Sequence, residues 1–302
     1  MKLRTLVPVA AFAVCVLSAA SVRADEPKGH PLTLRPRWKA NDLVTRKSES
    51  KESLAIAHVK DGQVQGEMNK EEKTTSYEVV AQCLAADEAG HWTRGVLYFP
   101  SWSLTTAGGT DQCLAKAHVE LTGFGPKSET KLLTPGVELS AAAQAWLSSE
   151  FGAGSTNDAL LAVLEPKTPV AVGAKWTVAG DALEGALGNE VQLDAKRSEA
   201  TLELARSEAG LDTVHMKIVM QLAGLPAGEA GKMLPWKDGK GAIVVAVAHT
   251  TKPGTHEATT EMEAEGDGIA DAGDAEIHFA TKQAQKIVTT VGGTMPDVPA
   301  AK

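Results

Sequence analysis

The chain has 302 residues, with 38 acidic against 30 basic side chains and a formal net charge of −8. That balance excludes nucleic acid and anionic membrane surfaces as main partners, because both repel an acidic chain. Aromatic residues make up only 4% of the sequence, so the core has to be built from Val, Leu, Ile, Ala and Met.

Residues 1–24 read as a cleavable export signal. Lys2 and Arg4 form a positive start, Leu6 to Leu17 an apolar run, and Val22-Arg23-Ala24 a small-x-small exit before Asp25. The run is shorter than the about 20 residues that a bilayer-spanning helix needs. Cys15 follows Val14 rather than the small residue of a lipid-attachment site. An uncleaved N-terminal anchor is the alternative. Cleavage removes Lys2, Arg4 and Arg23 and no acid, leaving 27 basic against 38 acidic side chains and a net charge of −11. No later stretch is apolar enough to span a membrane. The expectation is an exported protein, periplasmic or extracellular, without a transmembrane span after cleavage. Two cysteines remain, Cys83 and Cys113. Export exposes them to oxidising surroundings, so a disulfide is expected, worth ~3–4 kcal/mol in the chain-entropy model. Two free buried thiols are the alternative.

Residues 25–40 are polar and Pro-rich and read as a leader into one β-rich domain over 41–291. Strand-like alternation follows in Leu54–Val59, Ser76–Leu84, His91–Phe99 and Gln112–Leu121. The period then changes. Ser140 is a good N-cap before Ala-Ala-Ala-Gln-Ala-Trp-Leu, Gly152 and Gly154 interrupt, and Asp158–Leu164 forms a second short helix ended by Pro166 and Pro169. A helical pair is therefore expected near 140–165, inserted in a strongly curved antiparallel sheet.

The segment Pro166-Lys-Thr-Pro-Val-Ala-Val-Gly-Ala-Lys-Trp176 resembles that of an uncharacterised group of exported bacterial proteins with a Pro-x-x-Pro-Val-x-Val-Gly-x-x-Trp stretch. In that group the stretch follows a helical pair and precedes strands, often with a later Gly-Leu-Pro, here Gly224-Leu225-Pro226. The usual Asp or Asn after the Gly is Ala174 here. The resemblance implies a β-rich envelope protein and no catalytic residues.

Thr201–Arg206 and Thr213–Leu222 alternate again, the latter with Val214, Met216, Ile218, Met220 and Leu222 on one face. Residues 223–241 read as a long irregular connection with an apolar tip, Met233-Leu234-Pro235-Trp236, between Lys232, Lys237 and Lys240. Such a tip suits a membrane interface or a lid; alternatively Leu234 and Trp236 fold back to cap the sheet. A hairpin over 242–265, turning at Pro253-Gly254, sets Ile243, Val245 and Val247 opposite Ala264, Met262 and Thr260, with Glu257, Glu261, Glu263 and Glu265 in solvent. Residues 265–276 read as an acidic loop, followed by a strand pair at 275–281 and 285–291 and a frayed tail at 292–302.

The sequence assigns no catalytic, cofactor or metal residues. It has no Gly-x-Ser-x-Gly and no His-Glu-x-x-His. His249 and His256 lack a third ligand, and the acids at Asp267, Asp271, Asp274 and Glu276 do not follow EF-hand order. What remains is a dry face carrying Met216, Met220 and Met262, adaptable to an irregular apolar ligand. The resulting reading is a non-enzymatic envelope protein binding a lipid or other hydrophobe, or a protein partner. The alternatives are a secreted hydrolase with an unidentified active site and a structural subunit of an envelope assembly.

Overall fold

Residues whose side chains alternate between two environments form strands, because successive side chains point to opposite faces. The computed structural model describes residues 29–298 apart from 33, 36, 61–62, 89, 124–128, 152–153, 188–191, 209–210, 228–231, 253–254 and 272–275. The export signal read at 1–24 lies outside them, as does the turn at 253–254. In chain order come β1 (Leu43–Lys60), β2 (Gln63–Ala86), β3 (Trp92–Thr106), β4 (Gly109–Asp111), β5 (His118–Thr122) and β6 (Glu129–Leu132). Helices α1 (Ala141–Phe151) and α2 (Gly154–Leu164) follow, then β7 (Lys175–Ala179) and α3 (Gly180–Leu187). The chain ends in β8 (Glu199–Glu208), β9 (Leu211–Leu222), β10 (Gly224–Ala227), β11 (Lys232–Lys252), β12 (Thr255–Asp271) and β13 (Glu276–Val291).

All the strands join one open antiparallel sheet in the order β6-β5-β3-β2-β1-β13-β12-β11-β9-β8-β7, with β4 beside β3 and β10 beside β11. Helices pack on parts of one face; much of the other is exposed, apart from buried Val80 and His118, which lie against residues 293–296. Over β3 and β5, α1 buries Ala143, Trp146 and Leu147 against Phe99, Trp102, Leu104 and Val119. Trp146 is the hub of this core, its ring 5.0 Å from that of Tyr77 and 5.5 Å from that of Trp102. On the other half, α2 and α3 bury Leu160, Leu161, Leu164, Leu183 and Leu187 against β8, β9 and β11.

The helical pair and its first cap stand as expected, with Ala143 N–H donating to Ser140 Oγ at 3.0 Å, but α2 begins at Gly154 rather than Asp158. The 242–265 hairpin has the expected register, Ile243 opposite Ala264, Val245 opposite Met262 and Val247 opposite Thr260. Trp176 is half-buried against the core, its Nε1–H donating to the Leu164 carbonyl at 2.9 Å.

Several expectations are corrected. Gln112–Leu121 is not one strand: turns separate β4 from β5, and Lys116 has a φ of 63°. Of the stretch 265–276, residues 265–271 are strand rather than loop, since β12 runs on to Asp271, and 272–275 lie outside the described residues. Its glycines allow this: a Cβ on Gly268 would lie 2.5 Å from the Gly239 Cα across the ladder. The two strands expected at 275–281 and 285–291 are the single strand β13. The described part of the leader, from Gly29 on, packs as a strap. Leu32 and Leu34 are buried in the α2–α3 core, His30 and Val170 exchange backbone hydrogen bonds, and Arg35 forks onto Glu165. The tail is held at two points: Gly292 N–H donates to the Leu43 carbonyl at 2.8 Å, and the His118 ring nitrogen Nε2 meets the Pro296 carbonyl at 3.0 Å.

Candidate functional site

Between the two helix-covered cores, the covered face of the sheet changes character. Strand β1 alternates Val44, Arg46, Ser48, Ser50 on that face with Thr45, Lys47, Glu49, Lys51 on the other. Small polar side chains therefore point inward there. Register places Arg46 between Thr289 and Val79, Ser48 between Ile287 and Tyr77, Ser50 between Gln285 and Thr75, and Glu52 between Gln283 and Lys73. The result is a polar stripe along β13, β1 and β2, about 20 Å long at ~3.3 Å per residue. Arg46, Ser48, Ser50, Thr75, Gln283, Gln285 and Thr289 are all buried.

Charges in the stripe are balanced internally. Glu150, at the end of α1, is buried and accepts from Arg46 Nη2 and, at 2.7 Å, from the Tyr77 hydroxyl. The Arg46 guanidinium lies 5.5 Å from the Tyr77 ring centroid and 5.6 Å from that of Phe151, so its charge also faces two aromatic rings. Burial holds the Tyr77 phenol well above its ordinary range, with Glu150 adding to the shift and Arg46 opposing it. At the other end, Lys73 Nζ lies 3.6 Å from Glu52, which also receives the Gln283 amide at 3.3 Å. Burial raises Glu52 above the usual carboxylate range, and Lys73 opposes the rise.

Ser48, Ser50, Glu52, Lys73, Thr75, Tyr77, Trp146, Glu150 and Gln285 enclose a cavity of about 10 Å³, room for about one water. Gln285 donates its amide to Ser48 Oγ at 3.3 Å. The other end of that amide, and the Thr289 hydroxyl, are buried with no partner among the described residues.

The three methionines adjoin this stripe. Met262 lies beside Gln285 on the next strand, and Val245 beyond it lies opposite Ile218, between Met216 and Met220. One row across the sheet thus reads Ile218, Val245, Met262, Gln285, Ser50, Thr75. Apolar floor passes into polar stripe at the step from Met262 to Gln285. All three methionines are buried in the α2–α3 core. His249 is buried on β11, and no group of three metal-ligating side chains occurs among the described residues.

The expected tip is placed differently. The described residues of 223–241 are not irregular: β10 pairs antiparallel with the start of β11, with Leu234 opposite Leu225 and Met233 opposite Pro226, and 228–231 lie outside the described residues. The side chains of Met233 and Leu234 lie outside the described residues. Trp236 folds back as a cap. It is half-buried beside Phe279, Leu54 and Ile56, and its Nε1–H donates to the Leu222 carbonyl at 3.2 Å. Trp236→Ala should therefore cost ~2 kcal/mol, a loss of several degrees in Tm, and leave vesicle binding unchanged. Lost vesicle binding at unchanged Tm would put the indole at a membrane instead.

The disulfide expected between Cys83 and Cys113 is also corrected, because both are free thiols. Cys83 lies on β2 opposite Gly95. Cys113 follows Asp111, which pairs with Leu104 at the level of Thr75, and the chain has returned only to Phe99 by Lys116. Along the sheet that leaves ~13 Å or more between them, beyond the ~7 Å between Cα atoms that a disulfide tolerates. Burial pushes the Cys83 thiol up to about 11 and raises Cys113 as well. Titration of the unfolded, unreduced chain from Asp25 onward should find two thiols. Finding none would overturn this placement.

The sequence reading missed the stripe. Its one available signal was the alternation of Arg46, Ser48 and Ser50 with Lys47, Glu49 and Lys51, a strand pattern without hydrophobic residues.

No protein-family model matches the chain, and no curated protein matches it. Among solved structures, one described as showing lipid-protein interactions in lipovitellin aligns with a TM-score of 0.38 at 10% identity, over 88% of this chain and 26% of that one. The outer membrane protease OmpT of Escherichia coli aligns with a TM-score of 0.15 at 7% identity, over 83% of this chain and 97% of that one. The chain thus spans about a quarter of the lipovitellin chain's length.

Proposed function

We propose that the chain is an exported, non-enzymatic cell-envelope protein that binds an amphiphile between the covered face of its sheet and the helices lying on it. The observation that carries this reading is the step from Met262 to Gln285, where an apolar floor meets a buried polar stripe. An amphiphile has the same division. Its chain lies over Met216, Met220, Val245 and Met262, and its head meets Gln285 and Ser50. The cavity at rest admits about one water, so entry requires α1 and α2 to lift from the sheet. Methionine suits a floor that must pack with and without a guest. Export rests on the charge, run length and exit site of residues 1–24.

Native mass spectrometry of the protein purified from its own host tests this. The expected result is a chain beginning at Asp25 in the exported fraction, carrying a lipid-sized adduct that organic extraction releases. A ligand-free chain that also retains no lipid from added vesicles would overturn the binding reading. A chain retained in the cytoplasm with residues 1–24 intact would overturn export.

A further inference from the structure

Resting on that reading, we infer that the bound amphiphile has a neutral, hydroxyl-bearing head rather than a phosphate. The charges on the stripe already cancel. Arg46 is held by Glu150 and Lys73 by Glu52, two cations against two carboxylates. A phosphate buried there finds no spare positive charge, and it faces two carboxylates lining the same cavity. Burying an unpaired charge is strongly unfavourable. Burial already disfavours the Glu52 anion, and a second anion nearby would disfavour it further.

What the stripe lacks is a hydrogen bond. One end of the Gln285 amide is bound to Ser48, while the other end is buried without a partner among the described residues. Gln285 is itself only 7% exposed and lines the cavity. An unmet buried amide is destabilising, so a ligand group that meets it gains affinity. A hydroxyl both donates and accepts, so it satisfies whichever end of the amide faces the cavity. Glycerides and other neutral lipids with a free hydroxyl fit this description.

The test holds the acyl chains constant and varies the head. The full chain is incubated with vesicles of equal parts dioleoylglycerol, dioleoylphosphatidylcholine and dioleoylphosphatidylglycerol, reisolated, and its bound lipid counted by mass spectrometry. Dioleoylglycerol should be enriched at least tenfold over either phospholipid. In Gln285→Leu the enrichment should fall to threefold or less while total bound lipid stays the same. Equal retention of phosphatidylglycerol, or undiminished selectivity in Gln285→Leu, would overturn the inference and leave amphiphile binding standing. Retention of no lipid at all would overturn both. The wild-type selectivity decides the matter if Gln285→Leu does not fold, and Ser50→Ala then serves as the second variant.

Discussion

Glu150→Ala should lower the melting temperature by ~6–20 °C. The carboxylate projects from α1, is buried, and is the partner of both Arg46 and the Tyr77 hydroxyl. Removing it strands a buried guanidinium, and breaking a buried pair from one side costs about 3–5 kcal/mol. For a domain of this size each kcal/mol shifts Tm by about 2–4 °C. The cost comes from the cation left behind rather than from the bond itself. Arg46→Leu/Glu150→Leu, which removes both charges, should therefore recover at least half of the loss. Thermal melts of the two variants check this. A single variant within 2 °C of the wild type would show that solvent reaches Arg46 freely.

The second large effect is at Met262. Its side chain is 2% exposed and packs in the α2–α3 core, while the adjacent Glu263 points to solvent between Val244 and Ala284. Met262→Asp buries a carboxylate among Met, Val and Leu and should cost ~4 kcal/mol or more. Glu263→Lys should stay within about 0.5 kcal/mol of the wild type. Met262→Leu, which roughly conserves volume, should cost less than about 1.5 kcal/mol. Urea midpoints of the three variants report the ranking. Inversion of the first two would mean that the β11–β12 register is slipped by one residue.

This register was legible because Ile243, Val245, Val247 and Met262 alternate with charged or small residues, and a Pro-Gly pair marks the turn. The helical pair was legible through Ser140 and the alanines after it. The middle of the sheet was not. Its inward side chains on β1 are Arg46, Ser48 and Ser50, and hydropathy cannot separate these from the outward Lys47 and Glu49. Only the packing of α1 over them reveals which side is dry. The pairings of β10 with β11, and of β11 with β12 around Gly239, were hidden by glycines, which ordinarily mark loops. Here Gly239 and Gly268 let two backbones approach and leave room for the Trp236 ring. Helix α3 is a single short stretch that begins on a Gly, and its buried Leu183 and Leu187 are too few to show a period. The cysteine expectation failed for a different reason. Compartment chemistry says whether a disulfide survives, but distance says whether one forms.

The pairing of β1 with β13 has a consequence for how the chain reaches its native state. Val44 lies opposite Val291 and Val59 opposite Glu276, so the longest-range contacts of the molecule run along the centre of the sheet. Each half can form from sequence-local hairpins, but the ladder joining them waits for the last strand to be made. Loop closure over such a span is slow, and folding slows as contact order rises. A chain emerging N-terminus first therefore stays unjoined until its final strand arrives. Until then the free edge of β1, eighteen residues long, is an open template for another chain. Aggregation during synthesis should be set by how long β1 waits, and truncation before Glu276 should make that wait permanent.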